Sequence, residues 1–318
     1  LIAEENMVVT LSHAGYVKAQ ALSTYQAQRR GGKGKSATNV KDEDFLETLV
    51  VASSHDTVLC FSNRGRVYWV KVYDLPQGSR AARGKPIVNV LPLQEGERIT
   101  ALLPLRVYTE DHYVFMATGN GTVKKTPLAD FSRPRTAGII AVDLDEGDKL
   151  IGVSLTDGQQ KIMLFTTEGK VICFPESDVR AMGRTARGVR GIRLGEGQRV
   201  IAMILAAPNM TVLTATANGY GKRTPLDDYP VHGRGGQGVI AIQTTERNGE
   251  VIGAIPVAEE DEVMLISDQG TLVRTPAAEI SVLGRNTQGV RLIRLQEDET
   301  LIGVERVVDE GGDEEGAE

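Results

Sequence analysis

The run Gln28-Arg29-Arg30-Gly31-Gly32-Lys33-Gly34 sets three cations among three glycines, with no acid and no apolar side chain. Residues of these types suit phosphate. A guanidinium offers planar, paired donors to phosphate oxygens, and glycine lets backbone N–H groups come close to an anion. The run closes on Arg30-Gly31-Gly32-Lys33-Gly34. The same R-x-x-[RKQ]-G order returns as Arg80-Ala81-Ala82-Arg83-Gly84, Arg184-Thr185-Ala186-Arg187-Gly188, Arg234-Gly235-Gly236-Gln237-Gly238 and Arg285-Asn286-Thr287-Gln288-Gly289. A further stretch, Arg135-Thr136-Ala137-Gly138, is two residues shorter. A single loop arginine is ordinarily no more than a solvated side chain. One that recurs at a fixed place implies a shared surface.

The elements that must carry these loops are visible as an internal repeat. Residues 113–156 hold four apolar, β-rich runs, Tyr113–Thr118, Thr122–Thr126, Ile139–Leu144 and Leu150–Leu155, with Gly-Asn-Gly between the first two and Asp-Glu-Gly-Asp between the last two. Both connections are turn signals. The first hairpin recurs, and its glycines are Gly15, Gly65, Gly121, Gly169, Gly219 and Gly270, spaced 50, 56, 48, 50 and 51 residues apart. In five copies the closing glycine of the cationic loop lies 19 residues beyond the hairpin glycine. A small four-stranded sheet has two faces to cover and cannot cover them alone. Six of them stacked about an axis bury one another. The fold class is therefore all-β, six-bladed and propeller-like, with about four antiparallel strands per blade. Helical spacing is best at Val40–Ala52, in the link between copies one and two, although Leu49–Ala52 also reads as a strand.

Charge is sharply sorted along the chain. The windows 16–35, 66–85, 122–138, 170–190, 220–238 and 271–291 carry +5, +4, +3, +3, +1 and +2. They total +18 in a chain of net charge −6, leaving −24 elsewhere. Such a belt suits double-stranded DNA, bound through its phosphates with little base readout. The candidate contacts are Gln28, Arg29, Arg30, Gly31, Gly32, Lys33, Gly34 and Lys35 in copy one; Arg80, Arg83 and Lys85; Arg133 and Arg135; Arg184, Arg187 and Arg190; Arg234; and Arg285 and Arg291. The decline of charge from copy one to copy six predicts firmest holding by the first blades. A curved belt demands a bent duplex, and turning ~35 bp through ~180° costs on the order of 10 kcal/mol. With half of the belt engaged, binding falls with roughly the eighth power of salt concentration. Single strands suit the belt less, because it is poor in aromatic platforms; Tyr25 and Phe131 are accounted for by packing.

Other chemistries find little support. No apolar run approaches the ~20 residues that span a bilayer, and no secretory leader is apparent. Cys60 and Cys173 lie in apolar strand runs and read as reduced core residues of a cytosolic protein. His13, His55, His112 and His232 lack metal-ligand spacing, so no metal site is read. Asp143, Asp145, Glu146 and Asp148 read as a solvated hairpin. No P-loop and no catalytic constellation stand out. A protein-recognition propeller of the WD or kelch kind is the rival from another class, but the Trp-Asp dipeptides are missing and the only tryptophan is Trp69. Residues 1–307 form the repeat domain, and 308–318, with six acids, read as a disordered tail that could compete with DNA for the belt. Leu1 as first residue suggests a piece of a longer chain.

With the hairpins and the cationic loops in view, the chain resembles the C-terminal domain of the DNA gyrase A protein. Gln28 to Gly34 matches that family's seven-residue gyrase A box at every position, within the first of the R-x-x-x-G repeats, and the resemblance runs over roughly residues 5 to 306. It implies a β-pinwheel, a propeller relative whose blades exchange strands. It implies a rim that wraps DNA in a positive sense and so enables negative supercoiling, with Gln28, Arg29, Arg30, Gly31, Gly32, Lys33 and Gly34 needed for wrapping. The catalytic tyrosine and the ATP and Mg²⁺ sites of that enzyme belong to regions outside this sequence, so no cofactor is expected here. The implied partners are the remainder of gyrase A together with gyrase B, in an A2B2 assembly in the bacterial cytoplasm, associated with the nucleoid. The topoisomerase IV equivalent is the alternative; it lacks an intact box.

Overall fold

The computed structural model describes residues 1–29, 39–41, 44–79 and 81–307. Six four-stranded antiparallel sheets carry almost all of its regular structure. Each sheet is built on the hairpin expected from its glycine: Asn6–Ser12 with Tyr16–Ala21, Thr57–Ser62 with Arg66–Lys71, Tyr113–Thr118 with Thr122–Pro127, Lys161–Thr166 with Lys170–Pro175, Thr211–Thr216 with Tyr220–Pro225, and Glu262–Ser267 with Thr271–Pro276. The first hairpin strand also pairs with the last strand of its own copy: Leu46–Ser53, Ile99–Leu105, Leu150–Thr156, Val200–Leu205, Val251–Val257 and Leu301–Arg306 in turn. These final strands pack against one another in succession and line the axis.

The outer position of every sheet is filled from a different copy. The short strand Lys85–Pro86 of copy two pairs with the first sheet, Ile139–Ile140 with the second, Val189–Arg190 with the third, Val239–Ile240 with the fourth and Val290–Arg291 with the fifth. Asn39–Lys41 of copy one pairs with Thr271–Pro276 of copy six and closes the ring. This is the strand exchange that the resemblance implied. It shortens the third run: residues 139–144 of copy three supply only the two-residue strand Ile139–Ile140. The described residues of Val40–Ala52 form no helix, and Leu49–Ala52, which also reads as a strand, lies in one. The ends of Val40–Ala52 are the strands Asn39–Lys41 and Leu46–Ser53, because pairing with Thr271–Pro276 and Asn6–Ser12 outweighs its helical spacing. The α-helix lies earlier, at Leu22–Arg29, where copies two to six place a short 3₁₀ turn after the second strand.

Because each sheet is sandwiched, the central strands are buried on both faces; Tyr113–Thr118 has five buried residues in six. Apolar clusters fill successive gaps, as with Leu59, Phe61, Val114, Met116 and Leu150 between sheets two and three. The gap between sheets six and one is the thinnest, a cluster of Phe45, Met264 and Leu272 flanked by Ile266 and Val307. Cys60 and Cys173 are free thiols inside these cores, and burial pushes the Cys60 thiol up to about 12.

Candidate nucleic-acid interface

Glycine fixes where each cationic loop begins its return to the sheet. Gly188 has φ +105°, and a Cβ there would stand 2.3 Å from the Val123 carbonyl oxygen of the preceding sheet. Only glycine tolerates both the left-handed backbone and that approach. The loop is thus laid on the blade before it, and neighbouring loops are stitched together. The Asp143 amide donates to the Ala186 carbonyl (3.3 Å), the Arg193 amide to Gly236 (2.8 Å), the Gly235 amide to Gly191 (2.7 Å) and the Gln243 amide to Thr287 (2.8 Å). The loops of copies three to six therefore run side by side along one edge of the ring.

The recurrent first arginine does more than face solvent. Arg234 donates from Nη1 to the Arg190 carbonyl and from Nε to the Asp178 carbonyl, both at 3.0 Å. Arg285 repeats this to Ile240 and Asp228, both at 2.7 Å, and Arg184 reaches Ile140 at 3.5 Å. Ile140, Arg190 and Ile240 are equivalent positions at the ends of exchanged strands. The arginine is a clip between consecutive copies. A guanidinium held on carbonyls keeps its full charge, and each has N–H groups beyond those so engaged.

Carboxylates take up little of the belt. Arg187 pairs with Asp143 (3.1 Å) and Asp145 (2.8 Å), so that part of the acidic turn is not merely solvated, yet Arg187 stays 68% exposed. Such exposed pairs are weak and exchangeable. Arg83 stacks on Tyr16, 4.1 Å from the ring centroid. Arg133, Arg135 and Arg184 converge on a cleft of about 520 Å³ together with Asp130, Ser132 and Thr185. Arg291 donates to the Tyr220 hydroxyl at 2.9 Å and Arg247 to the same oxygen at 3.2 Å. These two hydrogen bonds pull the phenol below its ordinary range. Lys85 and Arg190 are exposed on the exchanged strands. Tyr25 and Phe131 are buried, so neither is a stacking platform. Gln28 and Arg29 end the helix Leu22–Arg29, whereas Arg30, Gly31, Gly32, Lys33, Gly34, Lys35 and Arg80 lie outside the described residues, as does the acidic tail.

The charge count needs one correction. Lys18, Lys124, Lys125, Lys222 and Arg223 are buried, as is Glu176. Lys125 lies 3.9 Å from Glu176 and Arg223 lies 2.8 Å from Glu259. With buried groups removed, the windows of copies three to six carry +1, +4, −1 and +2, and the described residues of copy two carry +3. Exposed charge does not decline smoothly from copy to copy. It alternates, copies two, four and six being more positive than copies three and five.

The three buried lysines Lys18, Lys124 and Lys222 share an offset, three residues past the hairpin glycine of copies one, three and five. The Lys18 ammonium donates to the carbonyls of Ser79 (3.0 Å) and Ala82 (2.8 Å). Lys124 donates to Ala141 (2.6 Å) and to the Arg184 carbonyl. Lys222 is caged by the carbonyls of Gly284 (2.7 Å), Arg285 (2.6 Å) and Thr287 (3.2 Å) and by the Thr287 hydroxyl (3.0 Å). Burial, reinforced by nearby arginine, pulls Lys124 down to about 7 and Lys222 down to about 8. The only signal in the sequence is the repeated offset.

Comparison with known proteins agrees with this architecture. The sequence model of the family described as DNA gyrase C-terminal domain, beta-propeller matches six times, at residues 6–53, 56–106, 112–157, 160–207, 211–258 and 261–307. The DNA gyrase A protein of Salmonella typhimurium is 61% identical over 315 residues, covering 99% of this chain and 36% of that protein. Its Escherichia coli K12 counterpart is 58% identical over 309 residues, covering 97% and 35%. The chain therefore spans about a third of the curated relatives it matches. Among solved structures, the C-terminal domain of DNA topoisomerase IV superposes with a TM-score of 0.85 at 26% identity, covering 98% of this chain and 96% of that one. The DNA gyrase A C-terminal domain superposes at 0.71 and 27%, covering 96% and 100%. Six blades, six matches to one repeat and the exchanged outer strands place this chain in the DNA gyrase C-terminal domain family.

Proposed function

We propose that this chain binds, bends and wraps double-stranded DNA around its cationic edge, without sequence preference, as the wrapping domain of the gyrase A component of an ATP-dependent type II topoisomerase. The observation that carries the reading is the row of loops in copies two to six, each laid on the preceding blade by glycine and each carrying arginine. Phosphates are the matching ligand because the loops carry arginine, whose paired planar donors fit phosphate oxygens. Wrapping would present a duplex segment to strand passage elsewhere in the enzyme and so favour negative supercoiling. The gyrase A box, Gln28 to Gly34, would complete the edge at the closure of the ring. ATP and Mg²⁺ would be bound by other regions. The partners would be the rest of gyrase A together with gyrase B in an A2B2 assembly, in the bacterial cytoplasm at the nucleoid. No helix among the described residues is long and apolar enough to cross a membrane.

The test is to ligate a nicked circular DNA in the presence of the chain and read the linking number. A positive shift, growing with protein and abolished by high salt, is the expected result. Binding that shifts no linking number refutes wrapping, and salt-independent binding refutes the phosphate edge. The higher TM-score to the topoisomerase IV domain supports a second reading, a topoisomerase IV-type DNA-binding domain.

A further inference from the structure

The alternation of exposed charge and the placement of the buried lysines coincide. The more positive copies are two, four and six, and theirs are the loops on which Lys18, Lys124 and Lys222 of the preceding blades close. At the same offset, blades two and four carry Tyr68 and Ile172 instead, so the loops of copies three and five receive no ammonium from that position. A loop of this composition has many conformations open to it, and arginine placed on a wandering loop loses affinity to the ordering cost. An ammonium inside the loop, saturated by its carbonyl oxygens, removes those alternatives without using any arginine donor.

We propose that Lys18, Lys124 and Lys222 are positioning residues for the DNA edge, each holding the cationic loop of the next copy in shape, so that copies two, four and six are the principal phosphate contacts and copies three and five secondary ones. The proposal rests on the DNA reading above and adds a pairwise periodicity to it. The repeating unit of the interface is then two blades rather than one. The buried ammonium belongs to the first blade of each pair and the contacting loop to the second.

The unmodified 318-residue chain tests the periodicity. Arginines are modified with phenylglyoxal with and without a 150-bp duplex, and protection is read by mass spectrometry. Stronger protection of Arg83, Arg190 and Arg291 than of Arg135 and Arg234 is expected; equal protection overturns the pairwise interface. Positioning is tested with Lys222→Met, which keeps the stem and removes the charge. In the free variant, amide exchange at residues 284–288 should quicken about 10- to 100-fold, the scale of a lost charged hydrogen bond. Exchange elsewhere should be unchanged, which also reports that the ring is folded. Duplex affinity should fall about tenfold, with the loss of protection confined to Arg285 and Arg291. Quickened exchange with unchanged DNA binding overturns the positioning role, as does unchanged exchange. Lys124→Met, read at residues 184–188, repeats the test in a different blade. If the unmodified chain fails to bind duplex at all, the DNA reading falls, while the exchange data still judge the loop anchor.

Discussion

The clearest perturbation lies within one cationic loop, where two glycines two residues apart have opposite surroundings. Gly238 has φ +73°, and a Cβ added there would sit 2.4 Å from the Val171 carbonyl oxygen, 2.9 Å from its carbon and 3.3 Å from the Ile172 nitrogen. All three are backbone atoms of a paired strand, so none can swing aside. Gly236 has no left-handed backbone and nothing within 4 Å of its Cβ position. For Gly238→Ala, the left-handed residue costs about 1–2 kcal/mol. Forcing a methyl into packed backbone costs about 1–3 kcal/mol more. The sum, about 2–5 kcal/mol, corresponds to a melting point lowered by about 5–15 °C in a domain of this size. Gly236→Ala should change stability by less than about 1 kcal/mol, and in the stabilising direction if at all, since alanine restricts the unfolded chain. Thermal unfolding of both variants, followed by far-ultraviolet circular dichroism, makes the comparison. DNA binding should weaken in G238A at temperatures where it is still folded, because the loop can no longer lie on blade four. If G238A melts within a degree or two of G236A, the account of these loops as glycine-seated on the preceding blade is wrong.

Two further outcomes are expected. Glu305 sits on the last strand, at the thin closing gap, where burial and the nearby Glu47 carboxylate raise it to about 7 from an ordinary 4.5. The folded state therefore holds this proton more tightly than the unfolded one. Its stabilising contribution is complete below about pH 4.5 and is lost as pH rises through 7, on the order of 3 kcal/mol in all. Urea unfolding of wild type and Glu305→Gln should converge near pH 5, with the variant more stable at pH 8; parallel profiles would refute the assignment. Cys60, 1% exposed and with its thiol pushed up to about 12, should resist a water-soluble maleimide at pH 7.5 until denaturant is added, and rapid labelling of the native chain would contradict its place in the core.

Much of the architecture could be read along the chain. The hairpin glycines located six sheets because a two-residue-period strand, a left-handed turn residue and a second strand form a local signal. The cationic loops were likewise legible, since R-x-x-x-G recurs at a constant distance from those glycines. Helical spacing misled: Val40–Ala52 has it, but the strands at its ends, including Leu49–Ala52, are claimed by sheets whose partners lie far away in sequence, while Leu22–Arg29 takes the place of a 3₁₀ turn. Strand exchange came only through the resemblance, because a two-residue strand such as Val189–Arg190 carries no periodicity of its own.

What the sequence determined by itself was the repeat, its hairpins and the loops that bear the charge, all visible as patterns about twenty residues long. What only the tertiary structure decided was which cations meet solvent. Lys222 and Arg190 read alike as basic residues in polar company, yet one is fully buried and the other exposed. The reason is that the lid over Lys222 is the loop of the next copy, whose carbonyls lie 62 to 65 residues further along the chain. Burial of a charge depends on whether such oxygens arrive to replace its water, and that is settled by how one blade folds over another.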